Sequence, residues 1–534
     1  MAVVHAAATP GGCADAPYSP RMTSAADGPG PAADAGCVLA IDLGTGGPKV
    51  AVVAPSGETL AWSWRPVATE FLPGGGAEQD PERMWTAVVE AARAALAELA
   101  ELSARPPLVA VSVTSQYMST SPVAADGRPT GPCVLWMDTR GGAHNLSLLN
   151  ETSFPLFVER HGLIPLPSGN DNVAHAHVVA TFHPEAYAAA VALVEPMDYL
   201  TARLTGRVCA TQSTVFGQLV CDNRTWGATE YDPELVAATG LRPDKLAPLV
   251  PMRGPVGEVT TAAAAALGID AGLPVVPGTI DSITSAVGSG ALGPERGSVI
   301  IGTTSVMVTH LRVQRSDLGS GLLTVPSPVP GSWYVMAENG VGGRALEWAA
   351  RLFGYGDDVG AAAAEAAGVP DGADGVDFAP WLLGSIAPNP NDDVRAAFTG
   401  LHLRHDRRHL LRAVLEGVAL NLGWLRGPME DFVGTTWPSV AFGGGGAQSD
   451  LWAQLLADAL DRPVHQLDQP RATNARGAAF LAFADLGLLD LDDVPSLLRV
   501  RAVRTPRPER REAVAAALRR LQSLHPSLAL LPGT

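Results

Sequence analysis

Two carboxylates stand where apolar strands run out into glycine and threonine. In "VLAIDLGTGGPKVAVV" a buried-strand pattern ends at Asp42, turns through Gly44, Thr45, Gly46 and Gly47, and resumes as a second apolar run. In "LPVVPGTIDSITSAVGSGAL" another such strand reaches Gly278 and Thr279 and delivers Asp281 at the head of a small-residue helix. Open α/β proteins bind ligands at the carboxyl ends of their strands. A glycine-rich turn there lets backbone amides come close to the ligand. The chemistry this suits is the handling of a charged group by amides, hydroxyls and a carboxylate. Each turn alone also reads as an ordinary hairpin, because glycine pairs are strong turn formers.

Two further stretches have the same character. "RGSVIIGTTSVMVTH" repeats strand, Gly-Thr turn and strand, so that Ile301-Gly302-Thr303-Thr304-Ser305 echoes Leu43-Gly44-Thr45-Gly46-Gly47. "AFGGGGAQSDLWAQLLADAL" sets Gly444, Gly445, Gly446 and Ala447 between a strand and a helix with Ser449 as its N-cap. There a planar ligand or a phosphate can approach the backbone closely. Other candidates fall away on context. "GSGALG" matches GxGxxG but follows a helix rather than a strand, and no Walker-A sequence occurs. His405 and His409 have the i, i+4 spacing of zinc ligands, yet sit among arginines without the glutamate of HExxH, and read as an exposed polar face. "TSQYM" and "GTTSVM" are not nucleophile elbows.

The elements that must position these residues alternate short strands with helices, an α/β pattern. Asp80-Pro81 is an N-cap and first helical residue opening "ERMWTAVVEAARAALAELAEL". "PLVAVSVTS" is a buried strand that delivers Gln116, Tyr117 and Met118 at its end. A helix is predicted over "EPMDYLTARLTGR" and a β-like run over "ATQSTVFGQLV". The recurrence of the Gly-Thr hairpin at the start of each half predicts duplicated domains facing one cleft, divided near "LGPERG". The spans expected are a disordered tail over 1–36, one domain over 37–292 and a second over 293–525.

Composition bounds the rest. A chain of 534 residues exceeds one core, and 47% hydrophobic with 17% charged residues is the make-up of a well-packed globular protein. A net charge of −17 gives no electrostatic support for a nucleic-acid or anionic-membrane partner. Phosphates would have to be bound locally, by amides, Mg²⁺ or single cations. The five cysteines are scattered without a CxxC pair, which fits free thiols in a reducing cytoplasm. No apolar run is long enough to span a bilayer. The Ala-, Gly- and Pro-rich opening lacks the pattern of a signal peptide, and Met22 is an alternative start to Met1.

Taken in order, these motifs resemble those of the FGGY family of carbohydrate kinases, within the actin-like ATPase superfamily, from about Val38 to Leu489. "IDLGTGGPK" is similar to the family's first phosphate motif and "IIGTTS" to its second. "GTIDS" resembles the segment carrying the catalytic base, "LWMDTR" the WxDxR block, "LTGR" the helix end that follows, and "FGGGGAQSDLW" the adenosine motif. "EQDPERMW" and "ARGAAFLA" also have counterparts. The general likeness is to the xylulokinases. There are departures: "SQYMSTSP" stands where a GQMHG-like sequence is usual, "GSIAP" where a GERTP-like block is usual, and Pro48 replaces a strand residue.

The resemblance implies two actin-like (ribonuclease-H-like) ATPase domains around an interdomain cleft. It implies MgATP as phosphoryl donor, transferring its γ-phosphoryl group to a small-molecule sugar, D-xylulose to D-xylulose 5-phosphate first. Ribulose, gluconate or glycerol are the alternative acceptors, and a non-kinase actin-fold ATPase is the alternative class. Gly44, Thr45, Lys49, Gly302, Thr303 and Thr304 would hold phosphates, and Gly444, Gly445, Gly446 and Ala447 would line the adenosine site. Asp42 would help hold Mg²⁺, and Asp281 would be the catalytic base, orienting the attacking hydroxyl. Gln116, Tyr117, Asp138 and Arg140 would join Asp281 around the sugar. A homodimer is the assembly allowed for.

Overall fold

The computed structural model describes residues 36–103 and 105–530. The expected tail, and Met22 with it, lies outside the described residues apart from Gly36. The elements that position the site form two large mixed sheets. The first half contributes β1 (Cys37–Gly44), β2 (Gly47–Val53), β3 (Thr59–Trp64), helix α1 (Pro81–Ala100) and β4 (Leu108–Ser115). Helix α2 (Pro196–Thr205), the short strands β5 (Gly257–Glu258), β6 (Pro274–Val275) and β7 (Thr279–Ile280), and helix α3 (Asp281–Gly288) follow. The seven-stranded sheet runs β5-β6-β4-β1-β2-β3, with β7 also paired to β4.

The second half repeats the plan. It contains β8 (Gly297–Ile301), β9 (Thr304–Leu311), β10 (Ser316–Asp317), β11 (Leu322–Pro326), β12 (Trp333–Val341) and helix α4 (Gly343–Leu352). Then come α5 (Arg407–Val433), β13 (Val440–Gly443), α6 (Asp450–Leu460), β14 (Val464–Leu467), α7 (Thr473–Asp485), β15 (Val500–Arg504) and α8 (Arg511–Ala529). Its eight-stranded sheet runs β10-β11-β12-β9-β8-β13-β14-β15. In each half the leading strand pairs antiparallel with the next through a tight hairpin and parallel with a later strand: β1 with β2 and β4, β8 with β9 and β13.

Local chemistry sets the ends of these elements. Asp80 accepts from Glu82 N at 2.9 Å with Pro81 in the first helical position, and Ser449 accepts from Trp452 N at 3.1 Å at the head of α6. Asp406 caps α5 in a capping box with His409, which accounts for that histidine at the helix start. The run "ATQSTVFGQLV" differs from expectation, since only Ala210–Thr211 is strand and Phe216–Gln218 is a short 3-10 turn. Thr211 N donates to Thr214 Oγ1 at 2.9 Å there, so a side chain takes up an amide that a strand would give to its ladder.

The strands of both sheets have two buried faces. Leu39, Ile41 and Leu43 of β1 enter a core shared with Ile300, Val308, Tyr334 and Met336 of the second half. On the other side of β1, Val38 and Ala40 pack with Ala51 and Val53 against Ala475, Ala478, Ala479, Ala482 and Phe483 of α7. Helix α7 also crosses α3 at glycines. A Cβ on Gly477 would collide with the Thr284 carbonyl oxygen, and one on Gly288 with that of Thr473. Gly477→Ala is therefore expected to cost about 1–3 kcal/mol in a urea melt, because the added methyl meets backbone that cannot rotate away. Gly360→Ala, whose methyl would meet only Asp358 Oδ1 at 3.4 Å, is the control. Equal midpoints for the two variants would show that the crossing tolerates a side chain.

Candidate active site

Period-2 alternation carries Asp42 to the mouth of the fold. It continues the row Val38, Ala40, just as Lys49 continues Val53, Ala51, and the two are partners in the β1–β2 register. Lys49 Nζ lies 3.3 Å from Asp42 Oδ2, while Asp42 Oδ1 is buried with no hydrogen-bond partner. Asp281 opens α3 immediately after β7. Its carboxyl is pushed up to about 7, chiefly by burial and then by the Asp42 carboxylate; Lys49 and hydrogen bonds from Ser282 oppose the rise. Asp42, Lys49 and Asp281 thus meet at one place. The unpartnered Oδ1 suits a hard divalent cation, which takes oxygen ligands and keeps part of its water. Among the described residues no group of three or more His, Cys, Asp or Glu side chains could hold a metal. Asp42 would therefore share such an ion with water and with a ligand's own oxygens.

Both Gly-Thr stretches are true hairpins, with Gly44 opposite Gly47 and Ile301 opposite Ser305. Gly47 has φ +128° and leaves no space for a Cβ against the Arg65 carbonyl. Thr45 is held from three sides. Its hydroxyl donates to Gln116 Oε1 at 2.6 Å and accepts from Trp136 Nε1 at 3.0 Å, and its carbonyl accepts from Gln79 Nε2 at 2.7 Å. The second hairpin rests on the head of α4: Gly343 N donates to Gly302 O at 2.8 Å and Gly342 N to Thr303 O at 3.1 Å. Gly302 itself is open, with nothing within 4 Å of a Cβ built there. The glycine-rich stretch lies against the same hairpin. Gly444, at φ +80°, and Gly446 would each press a Cβ onto Ile301, whereas Gly445 faces open space and Ala447 is buried. Gly444 N donates to Pro470 O at 3.1 Å, just before α7. Two loops far apart in sequence therefore form one surface.

The expected sugar contacts divide in two. Gln116 is buried and spends its amide inside the chain, accepting from Thr45 and donating to Gln79 Oε1 at 3.3 Å. Asp138 and Arg140 are likewise engaged with each other. Asp138 Oδ2 accepts from Ala77 N at 2.9 Å and from Arg140 Nη2 at 2.6 Å, and Arg140 Nη2 also lies 2.5 Å from Glu78 Oε1. Each of these three was expected to contact the sugar; the structure shows Gln116 bonded to Thr45 and Gln79, Arg140 to Glu78 and Asp138, and Asp138 also to Ala77 N. Tyr117 is only partly buried, and its hydroxyl points at Met336 Sδ, 3.6 Å away across the two halves. Met118 beside it holds φ +52°, a conformation a non-glycine residue adopts only where its surroundings impose it.

Sequence reasoning missed the strand opposite. Tyr334 and Met336 of β12 face the shared core, while Val335 and Ala337 face the second half's own core. Glu338 is next on the first of these faces, and its charge reaches both Tyr117 and Tyr334. The alternation in "WYVMAENGV" was the available signal, but a strand apolar on both faces does not announce which core each face enters.

The comparisons with known proteins agree with this geometry. Residues 37–288 match the model of the FGGY family of carbohydrate kinases, N-terminal domain, and residues 297–486 the C-terminal domain of the same family. The xylulose kinase of Escherichia coli (strain K12) is 29% identical over 449 residues, covering 83% of this chain and 89% of its own. The gluconokinase of Bacillus licheniformis is 25% identical over 480 residues, covering 86% and 89%. The crystal structure of a xyloylose kinase from Brucella ovis superposes with a TM-score of 0.80 at 26% identity, over 93% of this chain and 100% of that one.

The carboxyl of Asp281 carries a stability consequence. Its folded value, about 7, lies above its ordinary 3.8, so between these values the native state binds a proton that the unfolded chain has released. Stability therefore falls as pH rises through this window, and the full penalty stands above it. Asp281→Asn removes the charge and keeps the shape. Its melting temperature is expected to exceed that of the parent by a margin that widens between about pH 4 and about pH 7 and levels off above. A margin that stays constant with pH would mean that Asp281 is not held up in the folded protein.

Proposed function

Since the chain belongs to the FGGY family of carbohydrate kinases, we propose that it passes the γ-phosphoryl group of ATP to a hydroxyl of D-xylulose, giving D-xylulose 5-phosphate. The observation that carries the reading is the convergence of Asp281 with the Asp42–Lys49 pair at the end of the first sheet. Phosphoryl transfer needs positioning and charge neutralisation more than covalent chemistry, and this constellation supplies both. The likeness to the xylulose kinase of Escherichia coli supports the choice of sugar. Another ketose, a polyol or a sugar acid is the second reading, favoured by the match to a gluconokinase.

In this reading the acceptor hydroxyl lies against Asp281, which takes its proton as the oxygen attacks phosphorus. ADP leaves with the electrons of the broken bond. The Gly44–Gly47 and Gly302–Thr304 hairpins hold the phosphates from the two halves with amides, and Lys49 adds a cation. Mg²⁺, held by Asp42 through its unpartnered Oδ1, would neutralise phosphate charge. Gly444, Gly445, Gly446 and Ala447 border the adenosine. Gln116 acts indirectly, as a positioning residue that fixes Thr45. Bringing the halves together excludes water, the competing acceptor. We divide the chain into domains at 292/293, inside the stretch between the two family matches. The buried, unbridged thiols of Cys37, Cys133, Cys209 and Cys221 support a cytoplasmic setting.

A coupled ADP-release assay over ketoses, polyols and aldonates tests the activity, with D-xylulose expected to give the highest kcat/KM. Asp281→Asn is expected to lower kcat by about 10²–10⁴ while the KM for ATP moves no more than a few-fold. For the parent protein, log kcat/KM should rise with pH at unit slope and level off near 7, where Asp281 releases its proton. ATP hydrolysis indifferent to every sugar would favour the non-kinase ATPase instead.

A further inference from the structure

Two elements from different halves meet beside Asp281. One is the end of β4 with Tyr117; the other is the face of β12 that bears Tyr334, Met336 and Glu338. They touch where Tyr117 Oη stands 3.6 Å from Met336 Sδ. Glu338 lies opposite Val306 in the β9–β12 register, close behind the Gly302–Thr304 hairpin. Its backbone is pinned, its carbonyl accepting from Ala387 N at 2.9 Å and the Asn339 amide donating to Ala387 O at 2.9 Å. Its side chain is half-buried, and its carboxylate makes no hydrogen bond among the described residues. Beside it the Tyr334 hydroxyl is fully buried and also without a partner. A buried polar group without a partner, such as the Tyr334 hydroxyl, is costly unless a ligand completes it, and the half-buried Glu338 carboxylate beside it is free to accept from one.

Resting on the kinase reading above, we infer that Glu338 is a specificity-determining contact of the acceptor site, and that it restricts the acceptor to uncharged polyols and ketoses at the expense of aldonates. A carboxylate accepts hydrogen bonds and donates none when ionised, so it pairs with sugar hydroxyls. With Asp281 it surrounds the acceptor with two negative groups, and like charges brought together suppress the wrong partner. An aldonate would need a cation in compensation. Lys49 is drawn to Asp42, and Arg140 is committed to Asp138 and Glu78. The phenols of Tyr117 and Tyr334 complete a lining that reads hydroxyls.

The test is kcat/KM for D-xylulose, L-ribulose, glycerol and D-gluconate with MgATP at pH 8, for the parent protein, Glu338→Gln and Glu338→Ala. The parent is expected to prefer its best neutral substrate over D-gluconate by at least about 100-fold. Glu338→Gln should keep the KM for ATP within about two-fold, lose about ten-fold or more on the neutral substrate, and narrow the preference over gluconate by a similar factor. If the variants prove unstable, competition on the parent decides: D-gluconate should fail to inhibit turnover of the neutral sugar at concentrations where other neutral polyols do. Gluconate as a good substrate or inhibitor of the parent, or a preference unchanged in Glu338→Gln, overturns the assignment of Glu338 and leaves the kinase standing. Turnover of none of the four sugars, with MgATP still stabilising the protein against heat, overturns the kinase reading and this inference with it.

Discussion

The crossing of α3 and α7 is the constraint on which the site depends. Gly288 and Gly477 let the two helices meet backbone to backbone, leaving no play for a side chain between them. The first helix carries Asp281 at its N-terminus. The second begins at Thr473, whose hydroxyl stands 3.0 Å from where a Cβ on Gly443 would sit, at the mouth of the glycine-rich loop. Its alanine face covers the row Val38, Ala40 that ends in Asp42. A single glycine contact therefore fixes Asp281, Asp42 and the glycine-rich loop relative to one another. Arg476 extends the tie. It is buried in α7, and its Nε donates to Gly57 O at 3.0 Å in the first half while Nη2 donates to Asp468 O at 2.8 Å in the second.

An acidic chain must solve a local problem if it is to hold polyphosphate. The net charge of −17 repels anions at long range, and the site adds Asp42, Asp281 and Glu338. Amides in the hairpins offer partial positive charge without a counter-ion, and Lys49 is the cation closest to the carboxylates that matter. The cost of placing carboxylates here is visible in Asp281, pushed up to about 7 by burial and then by Asp42, and in Glu338, pushed up to about 7 by burial alone. A fold optimised for stability alone would not keep them so. Perturbed acids gather where chemistry is done, and the kinase proposal gives these two such a place.

Much of this was legible in the residues. Asp42, Asp281, the paired hairpins and the glycine run announced themselves, because a turn after an apolar strand has few chemical solutions and glycine is one of them. Helix starts at Asp80 and Ser449 were readable for the same reason, local chemistry acting over three or four residues. What was not legible depends on partners distant in sequence. Gln116 and Arg140 were read only as sugar contacts, and only the fold brings Gln79 and Glu78 to them. "ATQSTVFGQLV" carries strand-forming residues, but its hydroxyls turn back on the main chain. Glu338 was hidden by the strand that bears it, one polar residue in an apolar run whose two faces serve two different cores.

That double-faced strand also explains why the side proposed for the acceptor is assembled from both halves. Tyr117 sits at the end of β4 in the first sheet, and Tyr334, Met336 and Glu338 sit on β12 in the second. Val335 and Ala337 anchor β12 in its own core, so the opposite face is free to be placed by docking against the first half. The contact between Tyr117 and Met336 is soft, a hydroxyl against a polarisable thioether, and accommodates small displacements better than a tight polar bond would. Under the kinase proposal, hairpins held rigidly by backbone bonds would cradle the phosphates, and the side joined through methionine would take the acceptor, a reasonable division of labour. The transferred group is the same in every turnover and needs a fixed cradle. The acceptor must enter, be recognised by its hydroxyls, and leave enlarged by a phosphate.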